Sequence, residues 1–394
     1  MNELQEKGMS RKAVLKELRS RLKQDFTYDS GRILGSMCAY PHPFSRQVYA
    51  RFLEKNLGDP GLFPATAEIE QETVEMMGSL LSHPKAVGHI VSGGTEANIM
   101  AMWAARNLGD NDRREIVAPE SVHLSFEKAA DLLNLRLLKV RLDDSFRMDL
   151  EDAQRKISNK TCALVAVAGT TGLGAIDPIA ELSEMALNHN ITLHVDAAFG
   201  GFVLPFLKEL GFNVPDFDFR LPGVCSITAD PHKMGLAPVP AGGILFRDAA
   251  MVKAVGKRVS YLAGGETEQT TLLGTRPGAS SLAVWALLKH LGREGYTEII
   301  KRCMQQTLKL AEGIEEIEGL SLVTRPTLNI VGIKSEDISI QALAQELRRK
   351  GWAIALFPGY IRIVVMPHIR AFHIQVFLED LNEAVKKLKG RKGI

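Results

Sequence analysis

ITLHVDAAFGG, residues 191–201, runs from an apolar segment into an aspartate, two alanines and a glycine pair. An apolar run of this length bounded by small residues reads as a buried strand, with Asp196 at its carboxyl end. A buried carboxylate is costly unless something holds its charge, so a cationic partner is expected against it. Similar short apolar runs recur at 87–91 (VGHIV), 114–119 (REIVAP), 135–142 (LRLLKVRL), 162–169 (CALVAVAG), 225–230 (CSITAD) and 242–248 (GGILFRD). Segments of helical period lie between most of them, as at 95–108 and 178–189. That alternation predicts an α/β fold with a mostly parallel central sheet covered on both faces. In such sheets ligands bind beyond the carboxyl ends of the strands, which is where the chemistry is sought.

At 394 residues the chain suits one large domain and a smaller one. A net charge of +2 gives no field that argues for nucleic acid or a membrane surface, so small molecules and further copies of the chain are the expected partners. The four cysteines, Cys38, Cys162, Cys225 and Cys303, show no C-x-x-C spacing and fit a reducing cytoplasm. The charged first 25 residues lack a signal-peptide core, and no window holds about 18 uninterrupted apolar residues, so the chain is expected to be soluble and not exported.

The pattern changes beyond about residue 290. LNIVGIK, a helix from about 338 to 350 closed by Gly351, WAIALF, a turn at PGY, IRIVVM and a last helix from about 372 to 388 predict a compact β-α-β-β-α unit. The expected division is therefore an N-terminal helix and extended arm (1–57), a large ligand-binding domain (58–290) and a small C-terminal domain (291–394).

Reading the strand ends in order gives a set of candidates. SGGTEAN (92–98) is a glycine turn leading into a helix, where Gly94 and Thr95 offer backbone N–H groups to a phosphate, or where Thr95 is simply an N-cap. His123 begins a helix in APESVHLSFEKA, as a ligand contact or a satisfied structural histidine. Thr170 and Thr171 sit in a turn that their hydroxyls could close. In CSITADPHKMG, Lys233 follows a strand end between apolar flanks, where partial desolvation favours a neutral, nucleophilic amine; a solvated loop lysine is the alternative. Together these residues call for one ligand with a phosphate, a cationic ring nitrogen for Asp196, a flat face for His123 and a carbonyl for Lys233. Pyridoxal 5′-phosphate has all four. The small Ala197 and Ala198 would let its ring approach the strand. No metal is called for: Cys38 and His42 in CAYPHP are two ligands without a second pair, and the arm that carries them is expected to pack at a dimer interface, with Tyr40 or His42 near the pocket mouth.

GDPGLFPATAEIE, GHIVSGGTEAN, HLSFEKA, AGTTGLG, HVDAAFGGFVLPF, DPHKMG, PAGGILF, LGTRPGA and IRIVVMPH, in that order from about residue 35 to the C-terminus, resemble the archaeal L-tyrosine/L-aspartate decarboxylases, among the group II pyridoxal-phosphate decarboxylases. The resemblance implies a fold-type I transferase-like architecture and a cytoplasmic homodimer. It implies that Lys233 carries the cofactor, Asp196 partners its ring nitrogen and His123 stacks on the ring. Gly94, Thr95 and His232 would contact the phosphate, Thr171 and Ala198 would lie along the cofactor, and Arg362 would hold the substrate carboxylate. Thr275 and Arg276 of LGTRPG would reach the phosphate bound in the partner subunit. The implied reaction is decarboxylation of aspartate to β-alanine, for coenzyme A, or of tyrosine to tyramine, for methanofuran. Glutamate as substrate, a sphingosine-phosphate-type lyase and a non-catalytic cofactor binder are the alternatives. The family's animal members carry a long mobile loop with a protonating tyrosine; here VSYLAGGETEQTTLLGTR is short, and Tyr261 and His123 are both candidates for that acid.

Overall fold

The computed structural model describes residues 3–390. Seven strands form the large sheet: β1 (Val87–Val91), β2 (Glu115–Pro119), β3 (Arg136–Val140), β4 (Thr161–Val167), β5 (Thr192–Asp196), β6 (Val224–Thr228) and β7 (Gly242–Phe246). Their spatial order is β1-β7-β6-β5-β4-β2-β3, parallel throughout except for β7, which runs against both neighbours. The pleat divides the apolar residues between two cores. In β4, Ala163 and Val165 face one layer of helices, while Leu164 and Ala166 face the other. Both faces are thereby buried, and for that reason these strands read as continuous apolar runs rather than alternating ones.

A polar hairpin follows, β8 (Lys257–Leu262) with β9 (Gly265–Gln269), and presents Tyr261 to solvent at 83% exposure. A long helix, Gly278–Glu315, then leads to the small sheet and is interrupted at Gly292, whose φ of 56° suits glycine. Four antiparallel strands, β10 (Ser321–Leu322), β11 (Ile330–Lys334), β12 (Ala355–Phe357) and β13 (Tyr360–Val364), lie in the order β10-β11-β13-β12. Helices Ile340–Arg349 and Ala371–Gly390 enclose their core, where Trp352 meets Phe377 edge-on at 5.0 Å. The short β10 adds one strand to the β-α-β-β-α unit expected there. As expected, Gly351 ends its helix in the left-handed region, at φ 87°.

The arm crosses both sheets. Leu34 N–H and Gly35 N–H donate to Ala353 O at 2.9 and 2.7 Å, and Ala39 N–H donates to His232 O at 3.1 Å. The segment that the prolines keep extended thus runs from the small sheet to the turn before Lys233. His42 caps the helix Pro43–Arg51, accepting from Phe44 N–H, and Tyr40 stacks on Tyr28 at 5.3 Å.

Candidate active site

Strands β1, β2, β4, β5 and β6 all deliver residues from their carboxyl ends to one cavity of about 310 Å³. Gly94 and Thr95 come from the turn after β1, His123 from beyond β2, Thr171 from beyond β4, Asp196 and Ala198 from β5, and His232 and Lys233 from beyond β6. Eight candidates far apart in sequence are brought together by topology.

Asp196 is buried, its Oδ1 accepting from Ala198 N–H at 3.1 Å and its Oδ2 from Asn98 Nδ2 at 3.0 Å. The cationic partner expected for it is not supplied: among the described residues no ion pair reaches this carboxylate. Its free lone pairs line the cavity. Of the two alanines only Ala198 lines it.

His123 Nδ1 accepts from Ser125 N–H at 3.2 Å and lies 3.0 Å from Ser125 Oγ. A backbone N–H can only donate, so Nδ1 carries no proton and neutral His123 holds its proton on Nε2. Burial keeps it below the ordinary imidazole range; Asp196 opposes that shift and Lys233 adds to it. His232 behaves alike, its Nδ1 accepting from Ala241 N–H at 3.3 Å while burial lowers its pKa.

Lys233 Nζ lies 3.2 Å from Asp230 Oδ2. Asp230 is buried, also accepts from Gly94 N–H at 3.2 Å, and has an Oδ1 without a partner. The glycine turn expected to meet a phosphate therefore already donates one N–H to a carboxylate. Gly94 is needed there: a Cβ would come within 2.7 Å of Asp230 Oδ2. Thr170 Oγ1 accepts from Ala175 N–H at 3.0 Å and closes its own turn, leaving Thr171 to the cavity.

Arg362 and Thr275 are not brought into the cavity wall. Arg362, on β13, is buried; Nη1 donates to Thr171 O at 2.9 Å, Nη2 donates to Gly35 O, and Nε has no partner. No acid pairs with it among the described residues. Thr275 packs beside Gly58, and Arg276 differs from expectation: it forms a buried bidentate pair with Glu70 and donates to Ile90 O at 2.9 Å. Burial alone would raise the Glu70 pKa, but the Arg276 charge holds it well below the carboxylate range. Arg276 is thus committed within its own chain. Tyr261 stands in the hairpin, outside this cavity.

A second, mostly apolar chamber of about 420 Å³ opens past His123 and Thr171, walled by Leu124, Leu142, Phe146, Leu173, Phe357 and Tyr360.

The pyridoxal-dependent decarboxylase conserved domain matches residues 51–335. The L-aspartate decarboxylase of Thermococcus kodakarensis is 50% identical over 383 residues, 97% of this chain and 99% of that protein. This chain belongs to the pyridoxal-dependent decarboxylase family. The probable L-tyrosine/L-aspartate decarboxylase of Methanothermobacter thermautotrophicus is 53% identical over 90% of this chain and 98% of its own length. Among solved structures, the sphingosine-1-phosphate lyase of Burkholderia pseudomallei superposes with a TM-score of 0.91 at 30% identity, covering 100% of this chain and 94% of that one. The decarboxylase is thus of fold-type I, as the motifs implied, and its cofactor is pyridoxal 5′-phosphate.

The cavity suits that group. A buried carboxylate without a cation, an amine on a strand-end turn and a glycine turn at a helix start are arranged around one space. The residues that sequence reasoning passed over are Asn98, Ser125 and Asp230. Asp230 stood inside DPHK, whereas Asn98 lies a full turn inside a helix, away from any strand end.

One consequence is open to titration. Burial lowers the pKa of fully buried His194 to about 4, against about 6.5 for an unfolded histidine. The depressed value contributes stability above pH 6.5 that is lost as pH falls towards 4. Between pH 7 and 5 the loss is about 2 kcal/mol from this residue. Urea unfolding of cofactor-free protein at the two pH values, repeated on His194→Gln, should show a smaller difference in the variant; equal differences would contradict the assignment.

Proposed function

We propose that this decarboxylase removes the α-carboxylate of L-aspartate, of L-tyrosine or of both, giving β-alanine or tyramine. The observation that carries this reading is identity of 50% or more over nearly the full length of relatives so named. The apolar chamber beyond His123 suits the ring of tyrosine, while the Thermococcus relative's name favours aspartate. Coenzyme A and methanofuran biosynthesis are the corresponding pathways.

The cavity lining supports the following roles. Lys233 holds the cofactor covalently, with Asp230 as a counter-charge that fixes where the amine sits. Asp196 keeps the ring nitrogen protonated, and His123 covers the ring with its Nε2–H available as a proton donor. Gly94, Thr95 and His232 contact the phosphate, and Thr171 and Ala198 lie along the cofactor. When bound, pyridoxal phosphate supplies an electron sink for the pair left at the α-carbon. Arg362 orients the departing carboxylate through its charge and the Nε–H that is left without a partner once Nη1 and Nη2 have bonded Thr171 O and Gly35 O. Thr275, remote from its own cavity, contacts the phosphate held by a second copy, so the working unit is a cytoplasmic homodimer. No helix of the described residues is long and apolar enough to cross a membrane. The break at Gly292 supports a division into arm (1–57), large domain (58–290) and small domain (291–394).

Arg362→Lys tests the orienting role. A lysine cannot hold both carbonyls and still present a second donor towards the site, so kcat/KM should fall about 100-fold, while the unfolding free energy falls by only about 1 kcal/mol for the lost carbonyl bond. A destabilised variant with wild-type kcat/KM would remove Arg362 from the site. The overall reading is tested by supplying purified protein and cofactor with L-aspartate, L-tyrosine, L-glutamate and a long-chain amino-alcohol phosphate. Carbon dioxide and amine from one of the first two are expected. Turnover of the phosphate ester alone would favour a carbon–carbon lyase, the reading that the Burkholderia similarity supports second.

A further inference from the structure

Asn98 uses all four of its hydrogen-bonding positions, and none is spent on backbone. Its Nδ2 donates to Asp196 Oδ2 at 3.0 Å and to Ser125 Oγ at 2.9 Å. Its Oδ1 accepts from Thr228 Oγ1 at 2.7 Å and from His194 Nε2 at 3.1 Å. Turning the amide over would set its oxygen against the Asp196 carboxylate, which only accepts. The carboxylate therefore fixes the amide, and the amide fixes everything beyond it.

On one side, His194 must donate from Nε2, which leaves its Nδ1 to accept from Ser226 Oγ at 2.8 Å. On the other, Ser125 Oγ accepts from Asn98, so its own proton is directed to His123 Nδ1 at 3.0 Å. Asn98, Ser125, His194, Ser226 and Thr228 are all buried, so water cannot replace a missing partner. The chain of bonds runs without a gap from the carboxylate on one side of the cavity to the imidazole on the other.

We propose that Asn98 is a positioning residue that ties Asp196 to His123 through Ser125. It holds the carboxylate in place for a cationic group in the cavity, and by occupying Ser125 Oγ it turns that hydroxyl's proton onto His123 Nδ1, beside the Ser125 N–H that already keeps the imidazole proton on Nε2. The proposal rests on the decarboxylase reading for its catalytic consequence, but its geometry is present in the chain without cofactor. The charged and titratable groups acting on His123 are Asp196, Lys233, Asp230 and Lys128. Any pH profile therefore has to be read against all four.

The experiment is imidazole nitrogen-15 NMR of histidine-labelled, cofactor-free protein, paired with pyridoxal 5′-phosphate titration, for wild type, Asn98→Ala and Ser125→Ala. Wild-type His123 should be protonated at Nε2. Ser125→Ala keeps the backbone N–H that donates to Nδ1, so His123 should stay protonated at Nε2 while its Nδ1 resonance moves with the loss of the hydroxyl donor, and cofactor affinity should stay within about twofold. Asn98→Ala should perturb His123 and also weaken cofactor binding about tenfold or more, because a donor to a charged group is lost. Ser125→Ala retains the bonds of Asn98 to His194 and Thr228, so it remains informative if Asn98→Ala does not fold. Wild-type His123 protonated at Nδ1 would overturn the proposal, as would an Asn98→Ala protein with unchanged His123 signals and unchanged affinity. The expected NMR pattern in a protein that decarboxylates nothing would uphold this inference and defeat the functional reading instead.

Discussion

Replacing Lys233 by alanine should abolish turnover, with kcat/KM falling by about 10³-fold or more, and should leave cofactor that dialyses away. The amine stands on the turn that follows β6, one-fifth exposed, with Asp230 3.2 Å from Nζ. No other lysine among the described residues lines the cavity. Asp230 would then be a buried carboxylate without its cation, and uncompensated buried charge is destabilising. Some loss of thermal stability should therefore accompany the loss of activity. Differential scanning fluorimetry on the same preparation separates the two effects, and a folded Lys233→Ala protein with substantial activity would refute the assignment.

Asp196→Asn should have the second-largest effect. The side chain keeps its size, and one of its two bonds to Ala198 N–H and Asn98 Nδ2 can persist through the remaining oxygen. Its charge is lost. A charge-assisted hydrogen bond is worth roughly 1.5–3 kcal/mol, so cofactor affinity should fall about ten- to hundredfold. Loss of kcat should be greater still, since a neutral amide cannot keep a ring nitrogen protonated while negative charge develops beside it. The variant should also meet Asn98 amide to amide, disturbing the network that reaches His123. Isothermal titration for affinity and steady-state kinetics at saturating cofactor read the two effects separately. Wild-type kcat once the cofactor is saturating would contradict the role given to the carboxylate.

The fold was legible because doubly covered strands must be apolar along their whole length. VGHIV, CALVAVAG and ITLHVD carry that mark, and the helices between them carry the helical period. The reversed direction of β7 was not legible, since GGILF reads the same whichever way it runs. The hairpin of β8 and β9 escaped because its residues are polar and largely exposed, with no buried face to impose a period.

The candidate site was legible to the extent that its residues sit at strand ends. Asp196, His123, Thr171 and Lys233 each follow an apolar run, and a parallel sheet must bring such ends together. Asn98 was hidden because helix interiors seldom carry chemistry and nothing in GTEAN separates a polar hub from a solvated asparagine. Arg362 stood out as a charge in IRIVVM, yet which carbonyls it would meet depends on how the small sheet and the arm close against the turn after β4. The pairing of Arg276 was not legible for a related reason. Its partner Glu70 lies far away in sequence, and only the folded chain shows the two as a pair.

The most direct measurement is reduction of the cofactor-loaded protein with borohydride, followed by peptide mapping with mass spectrometry. One pyridoxyl-phosphate adduct per chain is expected, on the peptide that contains Lys233. An adduct on any other lysine, or none at saturating cofactor, would contradict it.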